Sequence, residues 1–212
     1  FNEQYRFAHV FAHAKRAPDW VVRKIGTIPG VLYAEGRIVQ DIIIDVAEMP
    51  EPARGRVVSR TADGQTRLND IVIRRGRDLR HDQPDEVLVN EAFAQAHGLR
   101  LGDVVHGNFN QRRRALKVVG VALSPEFVYA IGPGDIVPDG RHFGILWMNR
   151  ETLEAAYDLK GAFNDLTLRL ARAASPAEVI VQVDRLLAPF GGAGAFGRAD
   201  QLSDAFVTSE ME

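Results

Sequence analysis

Apolar positions along this chain change their period several times, and each change marks a candidate element. In the first sixteen residues Phe1, Tyr5, Ala8 and Ala12, with Phe7 and Phe11 alongside, fall at helical spacing, which predicts a helix over 1–16. Pro18 stands where the first turn of a helix tolerates proline. Trp20, Val21, Ile25 and Ile28 form a second helical face that Pro29-Gly30 ends. Residues 31–46, with β-branched Ile42, Ile43 and Ile44, read as one or two strands. Pro50, Pro52 and Gly55 punctuate a turn, and 56–60 reads as the next strand.

Beyond Ala62-Asp63-Gly64, a strong turn signal, strands and turns dominate. Residues 68–73 are strand-like until Gly76-Arg77, and 87–89 form a short buried strand. Asn90 is a good helix N-cap, and Gly98 is placed to end a helix over 91–97. Residues 104–109 and 116–123 predict a hairpin around a basic turn at 111–114. The three prolines and three glycines of 125–142 predict a loop. Periodic elements then resume: a strand at 143–148, a helix at 151–159 and a half-buried strand at 163–170. Ser175-Pro176-Ala177-Glu178 is a capping box with proline at the first helical position, and Val179, Ile180, Val183, Leu186 and Leu187 give its helix one apolar face. Gly191 to Gly194 end that helix before a short strand, and 199–212 read as helical.

Helix, Pro-Gly and strand at 18–46 are echoed by strand, helix, Gly-rich turn and strand at 163–198, which predicts split α/β sandwich units. The expected fold class is α+β. Residues 1–62 and 143–212 would form a sandwich lobe, and 63–142 a smaller, strand-rich lobe inserted into it.

Composition narrows the function classes. The chain has 212 residues, enough for one large domain or two small lobes with their own cores. A net charge of -2 gives no global field toward nucleic acid or an anionic membrane. With no cysteine, disulfides, thiol catalysis and Cys-based zinc sites are excluded. No apolar run approaches the ~18–20 residues that span a bilayer. The start at Phe1 rather than Met suggests a domain excised from a longer protein.

One stretch carries more than periodicity. Asp85-Glu86-Val87-Leu88-Val89, Phe93-Ala94, Gly98-Leu99 with Leu101-Gly102-Asp103, and Val118-Val119-Gly120-Val121 follow one another in order. Leu68-Asn69 and Arg75-Gly76-Arg77 precede them; Ser124-Pro125-Glu126-Phe127-Val128-Tyr129 and Phe143-Gly144-Ile145-Leu146-Trp147-Met148 follow. This order resembles the extracytoplasmic (MacB-like periplasmic core) domain of FtsX/MacB-type ABC-transporter permeases. The resemblance implies a porter-like α/β lobe with a smaller inserted lobe, placed outside a bacterial cytoplasmic membrane between two membrane helices, with terminal helices as stalks. It implies coupling of ATP-driven membrane motion to an event outside the cytoplasm: lipoprotein or lipid extraction, efflux, or control of a cell-wall hydrolase. The implied partners are the rest of the permease, a cytoplasmic ATPase, a second permease and a periplasmic adaptor. It implies no enzyme, no cofactor and no nucleic acid in this domain. The alternatives are a stand-alone extracytoplasmic binding module and a hydrolase with a dispersed site.

Candidate chemistry is sparse. Gly192 to Gly197 match G-x-G-x-x-G, but a helix precedes the match and a strand follows, the reverse of a dinucleotide fingerprint. His9 and His13 stand at i, i+4 with no third metal ligand evident, and Lys15 and Arg16 repel a cation. His81, Asp82, Asp85 and Glu86 cluster in a turn, either as an acid–base or metal group or as a solvated loop. Arg112, Arg113 and Arg114 are candidates for an anionic ligand, against a solvated turn that discourages edge pairing. Phe127, Val128, Tyr129, Ile131, Ile136 and Val137 lie in the long loop and are candidates for a partner surface, against an ordinary packed loop.

Overall fold

The computed structural model describes residues 7–47, 49, 51–61, 68–128, 130, 132 and 138–200. The chain divides into two compact units: 1–38, 66–70 and 159–212 form the first, and 39–65 with 71–158 the second.

In the first unit, strand β1 (Val10–Pro18), helix α1 (Asp19–Ile25) and strand β2 (Val31–Arg37) make one half. Strand β10 (Ala162–Leu170), helix α4 (Pro176–Leu187) and the short strand β11 (Phe196–Gly197) make the other. Strand order is β11-β1-β10-β2, and every pairing is antiparallel. Two β-α-β halves interleaved in this order are the ferredoxin-like split arrangement. Ser175 caps α4 as the sequence predicts: its Oγ accepts from the Glu178 N–H at 3.4 Å. Val179, Val183 and Leu187 of α4 pack with Val21 and Ile25 of α1 over Val10, Ala12, Leu166 and Leu168. Gly36 permits this close approach, since a Cβ there would stand 2.8 Å from Val22 Cγ2 and 3.0 Å from Phe163 Cγ. On the opposite face of the sheet Phe7, Ala8, Phe11 and Leu68 form a second cluster with Phe196 against it. The segment around Asn69 is tied there, its Oδ1 accepting from the Ala8 N–H at 2.8 Å.

The second unit is a strand-rich body. It comprises β3 (Val39–Asp45), β4 (Ala53–Arg60), β5 (Val72–Gly76), β6 (Glu86–Asn90), β7 (Val104–Phe109), β8 (Arg112–Leu123) and β9 (Phe143–Asn149). Helix α2 (Glu91–Ala96) follows β6, and helix α3 (Arg150–Tyr157) follows β9. The sheet runs β5-β8-β6-β9-β4-β3-β7, and β7 pairs again with β8, so the sheet closes on itself. The β4–β9 and β6–β8 pairs are parallel. Every residue of β6 and β9 is buried, as strands covered on both faces require.

Several expectations change. Residues 10–16 are strand, not helix; 1–6 and 201–212, and with them the expected stalks, lie outside the described residues. Residues 68–71 are not strand, and β5 begins at Val72. Asn90 precedes α2 but makes no side-chain cap; its Oδ1 accepts from the Ile145 N–H at 2.9 Å, joining β6 to β9. The expected boundaries at 62/63 and 142/143 also move. Because β4 pairs along its length with β9, residues 39–60 and 143–158 belong with the inserted body, which is therefore not a small lobe.

Candidate functional site

The β7–β8 hairpin is built differently from its sequence reading. Asn110 and Gln111 form its two-residue turn with φ of 48° and 66°, the positive values that a hairpin turn of this length favours. Arg112, Arg113 and Arg114 are thus not the tip but the first rungs of β8, opposite Phe109, Asn108 and Gly107. Side chains alternate across a strand, so Arg112 and Arg114 leave the face that carries buried Leu116, while Arg113 leaves the other.

The turn is fastened to the C-terminal end of α3. Asn110 Nδ2 donates to the Ala156 carbonyl at 3.2 Å, and the Phe109 and Tyr157 rings meet edge to face at 6.4 Å. Burial pushes the Tyr157 phenol up to about 12, so it is neutral at physiological pH. Between hairpin and helix lies an open groove of about 700 Å³, lined by 109–114 on one side and by Ala155, Ala156 and Asp158 on the other. Arg114 Nε donates to Asp85 Oδ1 at 2.6 Å, and Arg113 Nε lies 3.3 Å from Asp45 Oδ2. The closest contact in both pairs is through Nε. The sequence named the three arginines; it carried no sign that α3 would supply the opposite wall.

The remaining candidates scatter. His9 Nδ1 accepts from the Leu170 N–H at 2.9 Å, and burial, with Arg169 and Arg198 nearby, lowers its pKa. His13 Nδ1 lies 2.9 Å from Asp165 Oδ2, so the two histidines serve different partners. Among the described residues no group of three metal-binding side chains is assembled. His81 Nε2 lies 3.6 Å from Glu151, Asp85 is taken by Arg114, and buried Glu86 is gripped by Arg77 and by the Arg80 N–H. The Arg77 fork holds the Glu86 carboxyl below its ordinary value. In the glycine-rich stretch, the Ala193 N–H donates to the His13 carbonyl and the Ala195 N–H to Asp184, so these amides serve the fold. Phe127 is half-buried against the cluster of Leu88, Phe143 and Trp147, whereas Val128 is 45% exposed. Tyr129, Ile131, Ile136 and Val137 lie outside the described residues.

One buried polar group was invisible in the sequence. Asp165 on β10 meets Arg37 on β2 and His13 on β1, its neighbours across both ladders.

No protein-family model matches the chain, and no curated protein matches it in sequence. Solved structures do. The periplasmic region of MacB from Actinobacillus actinomycetemcomitans superposes with a TM-score of 0.56 at 10% identity, over 99% of this chain and 95% of that one. The fold is that of the MacB periplasmic region. The extracellular domain of YknZ, a noncanonical ABC-type transporter from Gram-positive bacteria, matches with the same TM-score and identity over 90% of this chain and 98% of that one. The two likenesses cover 99% and 90% of this chain, well beyond the stretch quoted from 68 to 148.

Proposed function

We propose that this chain is an extracytoplasmic domain of an ABC-transporter permease. It would stand at the periplasmic or extracellular face of a bacterial cytoplasmic membrane and pass mechanical change between membrane helices and a partner outside. The observation that carries the reading is the end-to-end likeness to two such domains, one periplasmic and one extracellular. A second feature supports it: Val10 pairs with Gly197, and the Arg198 N–H donates to the His9 carbonyl, so the first and last strands of the described chain run side by side. A domain inserted between two membrane helices needs its entry and exit close together. Among the described residues no helix is long and apolar enough to cross a membrane, so the spans would lie outside the domain.

The working parts in this reading are a cytoplasmic ATPase, the permease helices, a second permease and a periplasmic adaptor. The task would be extraction of a lipid or lipoprotein, efflux, or hydrolase control. The loop 125–142, with Val128 at its exposed end, is the surface proposed to meet the partner.

This chain holds no cysteine, so in a full-length protein whose cysteines elsewhere are replaced a single thiol can be placed here. A Val128→Cys variant of the full-length protein should react with a membrane-impermeant maleimide in intact cells. Its labelling rate should change when the ATPase is trapped with vanadate. Labelling only after lysis would sink the location, and an unchanged rate would sink the coupling.

A further inference from the structure

The groove between the β7–β8 hairpin and α3 has the form of a binding site. Its volume of about 700 Å³ lies within the ~300–1,000 Å³ usual for small-molecule sites. Its walls are held in place: the Asn110–Gln111 turn is bonded to Ala156, and Phe109 rests on Tyr157. Ala155 and Ala156 fill little space on the helix side.

The charge in this groove is one-sided. Arg112 and Arg114 rise from its face of β8 and Arg113 stands between them on the strand, while Asp158 is the one carboxylate among the lining residues. Asp85 and Asp45 approach Arg114 and Arg113 most closely at Nε. Arg112 makes no ion pair among the described residues. Arg112 and Arg114 are two residues apart on one face of β8, hence ~6.6 Å apart along the strand. Two forks at that spacing can take adjacent oxygens of one tetrahedral anion, and paired N–H groups match phosphate oxygens.

We propose that this groove binds a phosphate ester with a polyol body, the chemistry shared by a glycerophospholipid headgroup and a free sugar or glycerol phosphate. Arg112 and the Nη groups of Arg114 hold the phosphate, Arg113 adds field from the strand's other face, and the polyol lies over Ala155 and Ala156. The site is independent of the permease reading, because its test needs only the isolated chain.

The test uses glycerol phosphate as the soluble probe, followed by calorimetric titration. Vesicles of phosphatidylglycerol, with phosphatidylcholine as control, are followed by co-sedimentation. Loss of the two forks in Arg112→Gln/Arg114→Gln should weaken binding at least about tenfold, the scale of losing charge-assisted hydrogen bonds. Arg75→Gln, an exposed arginine on β5, should leave it unchanged. Circular dichroism melting shows whether the double variant is folded; if it is not, Arg112→Gln alone, which breaks no ion pair, carries the comparison. Binding of glycerol phosphate alone identifies a free phosphate ester; binding of phosphatidylglycerol vesicles as well identifies a lipid headgroup. The proposal fails if neither probe binds, if glycerol alone binds as well as its phosphate, or if Arg75→Gln weakens binding as much as the groove variants.

Discussion

Arg37 and Asp165 sit directly opposite one another on β2 and β10, both buried, with Arg37 Nη2 2.6 Å from Asp165 Oδ1. Nε of the same arginine donates to the same carboxylate at 2.7 Å, and His13 approaches its other oxygen from β1. One carboxylate thus ties together the three main strands of the ferredoxin-like unit. Replacing the pair by apolar groups could be neutral, whereas removing one partner strands a buried charge. Asp165→Ala or Arg37→Met should therefore each cost about 3–5 kcal/mol in chemical denaturation. The double variant Arg37→Met/Asp165→Leu should cost less than the sum of the two single changes. Strict additivity would show that the pair is not coupled.

The same group predicts acid sensitivity. Burial alone would raise the Asp165 pKa; the charge of Arg37 and the bond from His13 outweigh it and hold the value below that of an ordinary aspartate. A depressed folded-state pKa contributes stability that is complete above the unfolded value, about 3.9, and is lost as pH falls through the lower folded value. The Asp165 contribution should hold down to about pH 5 and be lost below about pH 4, on top of a shallower decline that starts near pH 6.5, where the lowered pKa of His9 lets the unfolded chain take up its proton first. In Asp165→Ala that acid limb should be shallower. An equally steep limb would assign acid unfolding to other carboxylates, Glu86 first, whose pKa the Arg77 bond also lowers.

Thr167, two residues along β10, is fully buried, and its Oγ1 has no hydrogen-bond partner among the described residues. A buried hydroxyl without a partner loses its bonds to water and gains nothing in exchange. Thr167→Val keeps the shape and removes the polar atom. It should leave stability unchanged or raise it by up to about 1 kcal/mol in urea unfolding. A loss of more than that would reveal a bond to the hydroxyl.

Gly36→Ala should do the opposite. The new methyl group would stand 2.8 Å from Val22 Cγ2 and 3.0 Å from Phe163 Cγ, between α1 and the sheet. Overpacking of this kind costs about 1–3 kcal/mol. A thermal melt equal to wild type would mean that α1 is free to move outward.

At the hairpin, Gln111 has φ of 66° without being glycine, and it is exposed. The left-handed region costs a side-chain-bearing residue roughly 1–2 kcal/mol. Gln111→Gly creates the favoured Asn-Gly turn, so it should raise stability by up to about 1 kcal/mol while leaving Arg112 and Arg114 in place. Destabilisation would mean that the Gln111 side chain has a structural partner.

What was legible in the sequence was mostly local. Ser175 and Pro176 announced α4 because capping depends on neighbours a few residues away. The first helical segment was found but ends sooner than read, at Ile25 with Gly26 as its cap rather than at Pro29-Gly30, whereas Gly98, with φ of 59°, follows α2 as expected. The first strand was misread for an equally definite cause. In β1, Val10, Ala12 and Ala14 face the helices while Phe11 faces the second cluster. At its start, Val10 to Ala12, the strand is buried on both faces and loses its polar alternation, and a short apolar run satisfies helical spacing as well. The hairpin was found but shifted: three arginines suggested an exposed tip, whereas the backbone preference of Asn110 placed the turn two residues earlier.

The chain's own order of residues determined the α+β class and most of the succession of strand and helix from residue 18 to 198, because periodicity, caps and turn chemistry act between neighbours; the order of the quoted motifs carried the resemblance to a permease ectodomain. Only the tertiary structure decided which strands pair. It joined β4 to β9 across more than eighty residues of chain and so moved the boundary between the units. It also chose Asp165 as the partner of Arg37, 128 positions away, and set α3 opposite the arginines of β8. Those choices rest on which buried faces close against one another and on where a buried charge finds its counter-charge. No local pattern records them, because many pairings of the same strands satisfy the same alternation.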